Sequence, residues 1–256
     1  MSIRPTYRWK GIIIALTVIT AWAVSLAFTL TSDLSIFPFF HFSILPFFHP
    51  SILSIFLIPL LIALNTFLFT GLFITAHDAM HGTVAPAHPR LNRAIGRVAT
   101  RLYALFSFDA MRTKHHEHHR HPASDGDPDF HDGTHTGFVR WYAHFFLTYV
   151  NGPQLLGMAV IYNVLKYVAE IPDANILIFW VLPALASTVQ LFYFGTYRPH
   201  RKPAGGYTEP HRAVSNAYGV TLSFLTCYHF GYHLEHHEKP GVPWWGLPKE
   251  RGHSPS

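Results

Sequence analysis

From Gly11 to Thr31 the chain runs without a single charged residue, and from Leu34 to Ala76 it does so again. A helix needs about 20 apolar residues to cross a hydrocarbon layer, and each of these runs is long enough. Two further uncharged stretches, Trp141–Leu165 and Ala174–Tyr197, bring the expectation to about four crossings, near 11–31, 51–76, 141–165 and 174–197. Pro38, Pro46 and Pro50 break the first part of the second run into a kinked or re-entrant stretch, which leaves Ser51–Ala76 as its continuous helix. Gly152 and Pro153 interrupt the third run, and Pro183 stands in the fourth. Ala213–Tyr232 is also apolar, but it is rich in small and polar residues and is not counted as a crossing. A basic leader before the first run also fits a signal peptide, yet a signal core spans only about 7 to 15 residues and this run is longer. Charged residues make up 13% of the chain, against roughly 25% in soluble domains. The expected fold is all-α, an integral membrane helical protein forming a single domain over 1–256.

With four crossings both termini share one side. The loops on that side hold 18 of the 19 Lys and Arg, from Arg4 to Arg251, and only Lys166 falls outside. The positive-inside rule then places both termini and the long central loop in the cytoplasm. Arg93, Arg97 and Arg101 recur every four residues beside Ile95, Val98 and Leu102. That pattern fits a helix lying on the inner membrane surface or an ordinary solvated basic face.

Twenty histidines in 256 residues make a metal site the first functional hypothesis. The single cysteine, Cys227, excludes an internal disulfide and a cysteine-ligated zinc or iron-sulfur cluster, so nitrogen and oxygen must hold any metal. Three boxes stand out: His77-Asp78-Ala79-Met80-His81, His115-His116-Glu117-His118-His119, and His233-Leu234-Glu235-His236-His237. A spacing of four puts two imidazoles on one helical face, where one metal can bridge them. A lone pair of this kind is more often a solvated surface feature. Three boxes differ, because no crossing separates the first two and two crossings separate the second from the third. All three therefore reach one membrane face. Eight imidazoles exceed what one ion of four to six coordination takes, so the count argues for two metals with positions left open for oxygen, and iron suits such redox chemistry better than a closed zinc shell. A histidine-rich transporter, the reading from a different class, would place its ligands at mid-membrane, not at helix ends.

The order HxxxH, HxxHH, HxxHH between paired apolar segments resembles the membrane fatty-acid desaturase and hydroxylase superfamily, whose boxes bind a diiron centre. More narrowly, His77 to Gly82, His115 to Pro122 followed by Asp127-Pro128-Asp129-Phe130-His131, Gly195 to Arg201, and Tyr228 to His237 with Pro243-Trp244-Trp245 downstream are similar to bacterial β-carotene ketolases of the CrtW type. That resemblance implies keto groups installed at C4 and C4′ of β-ionone rings by two successive hydroxylations of one carbon and loss of water. It implies two iron ions, dioxygen as co-substrate, and electrons from reduced ferredoxin or a similar donor. β-Carotene would pass through echinenone to canthaxanthin, in a bacterial inner membrane, with hydroxylated rings leading towards astaxanthin. A fatty-acyl desaturase or a carotenoid 3-hydroxylase of the same superfamily is the alternative. In related desaturases a further histidine near the end of the fourth helix binds iron. His200 holds the matching place here, with His229 as its rival. The expected metal ligands are therefore His77, His81, His115, His118, His119, His200, His233, His236 and His237.

Asp78, between two candidate ligands, either accepts a hydrogen bond from one of them or is a plain helix-end carboxylate. Asp125, Asp127 and Asp129 either support the second box or simply form turns, the reading that Asp-Gly and Asp-Pro pairs favour. Asp78 and Asp127 are the carboxylates assigned to the catalytic site. Glu117 and Glu235 sit inside boxes as outer partners or solvated groups, and outer or solvent roles fit His116 and His121 better than ligation. His41, His49, His88, His144 and His253 stand alone. Trp244 and Trp245 either close the site or anchor at the interface, anchoring being the default. A C40 hydrocarbon dissolved in the bilayer would have to enter laterally between helices, through a tunnel with apolar walls.

Overall fold

The computed structural model describes residues 9–32 and 52–251, and among these it is helical with no strand, as the apolar runs require. The re-entrant stretch read over Leu34–Pro50, with His41 and His49, lies outside the described residues, as do His253, Arg4 and Arg8. In chain order the helices are α1 (Lys10–Thr31), α2 (Ile52–Met80), α3 (Pro89–Ala104), α4 (Phe108–Arg120), α5 (Phe138–Tyr149), α6 (Gly152–Tyr167), α7 (Asp173–His200), α8 (Val220–Cys227) and α9 (His233–Glu238), followed by short turns at Trp244–Gly246 and Leu247–Glu250. Three are long and apolar enough to cross a membrane: α1, α2 over Phe56–Met80, and α7. Two of them outrun the expected spans, since α2 continues past Ala76 to take in His77 and α7 continues past Tyr197 to take in His200.

The third expected span is not one helix. Residues 141–165 divide between α5, 12 residues long, and α6, 16 residues long, and neither has the length of a crossing. At the break Val150 is extended, and the Asn151 side chain caps α6 by accepting from the Gln154 amide at 3.0 Å. Pro153 occupies the first turn of α6, where its missing N–H costs nothing. The pair still runs the length of α7, from Phe138 against Tyr197 to the Tyr162 hydroxyl on Asp173 at 2.7 Å. Lys166, which the expected topology leaves on the side opposite the other basic residues, lies at that far end, 2.7 Å from Asp173.

Two wide π turns, Leu177–Val181 and Tyr193–Tyr197, let α7 continue through Pro183 and Pro199. A proline donates nothing and clashes with the carbonyl four residues back, and a locally widened turn relieves the clash. The carbonyl that Pro183 leaves without its usual donor is that of Phe179, and the Asn65 side chain of α2 donates to it at 3.1 Å. Asn65 also donates to Thr29 Oγ1 at 3.1 Å and accepts from Ser25 at 2.6 Å, which ties α1, α2 and α7 together in a setting where every polar group must find a protein partner. At the far end Asn175 donates to the terminal carbonyls of α1, Leu30 at 3.0 Å and Ser32 at 2.8 Å. Phe69, Leu72 and Ile74 of α2 pack with Ile176, Trp180 and Leu191 of α7 in the main core.

α3 and α4 cover the histidine end. Arg93 and Arg97 of α3 both donate to Asp109 of α4, at 2.6 and 2.9 Å, so two of the three regularly spaced arginines tie these helices together.

Candidate metal centre

The three boxes meet because each stands at a helix end on the same side. Box one closes α2, box two fills the last turns of α4, and box three is α9. A turn aims the third. Tyr228 and His229 adopt left-handed backbone angles, φ 48° and 62°, and their amides donate to Phe224 at 2.8 Å and Ser223 at 3.0 Å. This ends α8 as a Schellman-type turn and redirects the chain into α9. Gly195 provides the matching clearance on α7, since a Cβ there would come within 2.0 Å of the Phe230 ring.

Nine imidazoles converge, in two groups. In the first, Nε2 atoms stand 3.2 Å apart for His77 and His236 and 2.6 Å for His81 and His115, while His119 Nε2 lies 3.1 Å from His115 and 3.0 Å from His236. In the second, His118 and His237 are 3.1 Å apart, His200 and His233 3.0 Å, and His233 and His237 3.1 Å. Metal–imidazole bonds of about 2.0 to 2.1 Å make the edges of a coordination shell about 2.8 to 3.4 Å, so these spacings, apart from the shorter 2.6 Å between His81 and His115, fit rings gathered around two ions. Outer hydrogen bonds orient two of the rings. His118 Nδ1 donates to Asp127 at 2.9 Å and His200 Nδ1 donates to the Arg212 carbonyl at 2.9 Å, which turns each Nε2 lone pair inward.

Burial first, and the neighbouring imidazoles second, push His115, His233, His236 and His237 well below the ordinary histidine range, which keeps them in the neutral form that binds metal. In His118 burial also works against charge, but Asp127 and Asp129 outweigh it and hold the ring above its usual value. Asp129 itself is raised to about 6, mainly by burial. Asp127 does double duty. Its carboxylate accepts from the amides of Ala123 and Asp129, both at 2.8 Å, as an Asp-Pro turn would, and from His118 as well.

The other sequence candidates sit as follows. His229 belongs to neither group and stacks on Tyr232. Asp78 accepts from the Trp244 amide at 3.2 Å and stands 3.7 Å from His77 Nδ1, too far for a hydrogen bond. It therefore ties the C-terminal tail to box one, with Trp244 stacked on Phe224. Lys10 lies over the Trp245 ring. Glu117 is half-buried and pairs with Arg120, and Glu235 is buried and accepts from Ser215. His116 Nε2 lies 3.2 Å from the Met80 carbonyl, and His121 lies 3.9 Å from Glu117.

The sequence reading expected a tunnel with apolar walls but named none of its lining residues, and it missed Tyr149. A cavity of about 70 Å³ is lined by Phe73, Phe106, Phe145, Leu191 and Phe230 together with His77, His115, His118 and His233. Asp129 and Tyr149 also line it, and the Tyr149 hydroxyl donates to Asp129. A second cavity along α6 and α7 shares Tyr103, Phe106, Phe146, Val150 and Thr188 with the first. A tyrosine at the end of an aromatic helix carries no signal that separates it from lipid-facing bulk.

The chain matches the fatty acid desaturase family over residues 50–171 and 155–253. A beta-carotene ketolase of Paracoccus sp. (strain PC1) is 48% identical over 188 residues, covering 73% of this chain and 76% of that protein. A beta-carotene ketolase of Haematococcus lacustris is 45% identical, covering 71% and 58%. A zeaxanthin 4-ketolase of Chlamydomonas reinhardtii is 46% identical, covering 72% and 42%.

Asp127→Asn keeps the shape of the outer partner but removes its charge. Metal retention by purified protein under chelator challenge should fall by about 10 to 100-fold. Unchanged retention would leave Asp127 a turn residue only.

Proposed function

The chain belongs to the fatty acid desaturase family, among its carotenoid ketolases, and from that premise we propose that it converts β-carotene through echinenone to canthaxanthin with a pair of irons held by His77, His81, His115, His119 and His236 on one side and His118, His200, His233 and His237 on the other. The observation that carries this reading is the convergence of the Nε2 atoms beside a largely apolar cavity that His77, His115, His118 and His233 line. When bound there, the irons would supply activation of dioxygen with electrons from a ferredoxin-type donor.

The protein's own residues then do three things. Phe73, Phe106, Phe145, Leu191 and Phe230 exclude water and pack a β-ionone ring against the imidazole wall. The second cavity takes the polyene. Leu155 and Leu185, which line it, are 57% and 48% exposed, so it reaches the outer face of the helices, where a lipid-dissolved hydrocarbon enters sideways. Asp127 holds His118 in one tautomer and orientation. Ring chemistry therefore occurs at the end of an apolar path from the membrane.

The proposed topology has four passes in a bacterial inner membrane, the third made by α5 and α6 together, with the histidine end and both termini cytoplasmic. The 18-to-1 distribution of Lys and Arg supports it. A reporter fused after Ser256 should be active only in its cytoplasmic form; periplasmic activity would invert the arrangement. Expression in a host making β-carotene should yield echinenone and canthaxanthin on pigment analysis. Zeaxanthin or β-cryptoxanthin in their place would assign a 3-hydroxylase, and unchanged pigments with new unsaturated acyl chains a desaturase.

A further inference from the structure

Asp129 is a carboxylate in an apolar place. The residue is 8% exposed, and it lines the cavity that carries Phe106, Phe145 and Phe230 on its other walls. Its backbone is fixed by the Trp141 indole, which donates to the Asp129 carbonyl at 2.8 Å, and by its own amide on Asp127 at 2.8 Å. Oδ1 is taken by the Tyr149 hydroxyl, and Oδ2 stands 3.8 Å from His118 Nδ1, beyond hydrogen-bond range. Tyr149 is fixed in turn, with Lys114 lying 4.7 Å from its ring centre and Phe145 packed beside it. A buried carboxylate facing hydrocarbon is costly unless a donor reaches it. β-Carotene has no donor. Its first oxidation product has one, the hydroxyl on the ring carbon just attacked.

We propose that Asp129, positioned by Tyr149, accepts a hydrogen bond from the hydroxyl of the once-oxidised ring and keeps that alcohol in the cavity until the second oxidation of the same carbon. The inference rests on the ketolase reading above and adds a residue that makes the double oxidation continuous. Asp129 and His118 line the same cavity, so an alcohol held by this carboxylate stays in the cavity with the imidazoles. The parent ring, lacking a hydroxyl, binds through the apolar walls alone. The site therefore prefers the half-finished ring to both the starting hydrocarbon and a ketone, which accepts but does not donate.

The test uses purified, metal-loaded protein with two near-isosteric variants, Asp129→Asn and Tyr149→Phe. Without reductant, the unaltered protein should bind a 4-hydroxylated carotenoid more tightly than β-carotene, and both variants should lose about tenfold of that preference, the scale of one hydrogen bond to a charged group. Under turnover the ratio of released 4-hydroxy product to ketone should rise by a similar factor. Lower total turnover with an unchanged ratio and an unchanged binding preference would make the pair structural and overturn the proposal. Thr196 also lines the cavity, and a ratio that moves only in a third variant, Thr196→Val, would assign the hydroxyl to Thr196 instead. Absence of any 4-oxygenated product from the unaltered protein would sink the ketolase reading itself, and it is distinguishable because it appears before any substitution is made.

Discussion

His236→Ala is expected to leave no ketocarotenoid above background while the protein remains in the membrane. His236 Nε2 lies 3.2 Å from His77 and 3.0 Å from His119, so it joins box one to box two within the first imidazole group. No other ring is placed to fill its position, because His237 already faces His118 and His233 in the second group. The loss should exceed the roughly 100-fold upper end expected for an outer partner, and one of two bound irons should go with it. Pigment extraction and metal analysis of the same membranes measure both. His236→Ala protein that still makes ketone with two irons per chain would remove His236 from the ligand set.

The second large effect separates two histidines that sequence reasoning left as rivals. His200→Ala should lose iron and activity together, since its Nε2 stands 3.0 Å from His233 and its Nδ1 is fixed by the Arg212 carbonyl. His229→Ala should keep most of its iron. Its ring packs on Tyr232 and Trp244, and its backbone serves the turn after α8. Some loss of thermal stability is expected there, because a left-handed backbone angle suits histidine better than alanine. Iron loss in His229→Ala with none in His200→Ala would move the ninth ligand into the third box. Full iron and activity in both would mean that eight imidazoles suffice.

The three boxes were legible because helical spacing and membrane sidedness are both written in local sequence. A spacing of four sets one face, and charge-free runs set which loops share a side. His200 was reached differently, by resemblance, since a single histidine after Arg198-Pro199 has no pattern of its own. Other features were out of reach because they depend on contacts between distant segments. The Asn65 amide on the Phe179 carbonyl spans 114 residues, and nothing near Asn65 announces that Pro183 will free that carbonyl. The break at Val150 was half visible, as Gly152 and Pro153 mark an interruption. That the break divides the expected third span between two helices, with Val150 lining both cavities, required the packing against α7. Asp129 was read among turn formers, and the turn is real. Its exposure to an apolar cavity depends on where Tyr149 and Phe145 fall, 16 to 20 residues away in sequence.

Two histidine groups holding two irons for one oxidation chemistry is what the proposed function requires. Metal content of the purified protein, measured in the form that makes ketocarotenoid, tests it most directly. Two irons per chain are expected, falling in step with activity when His118 or His236 is replaced. Zinc alone, or one metal per chain in the fully active form, would contradict it.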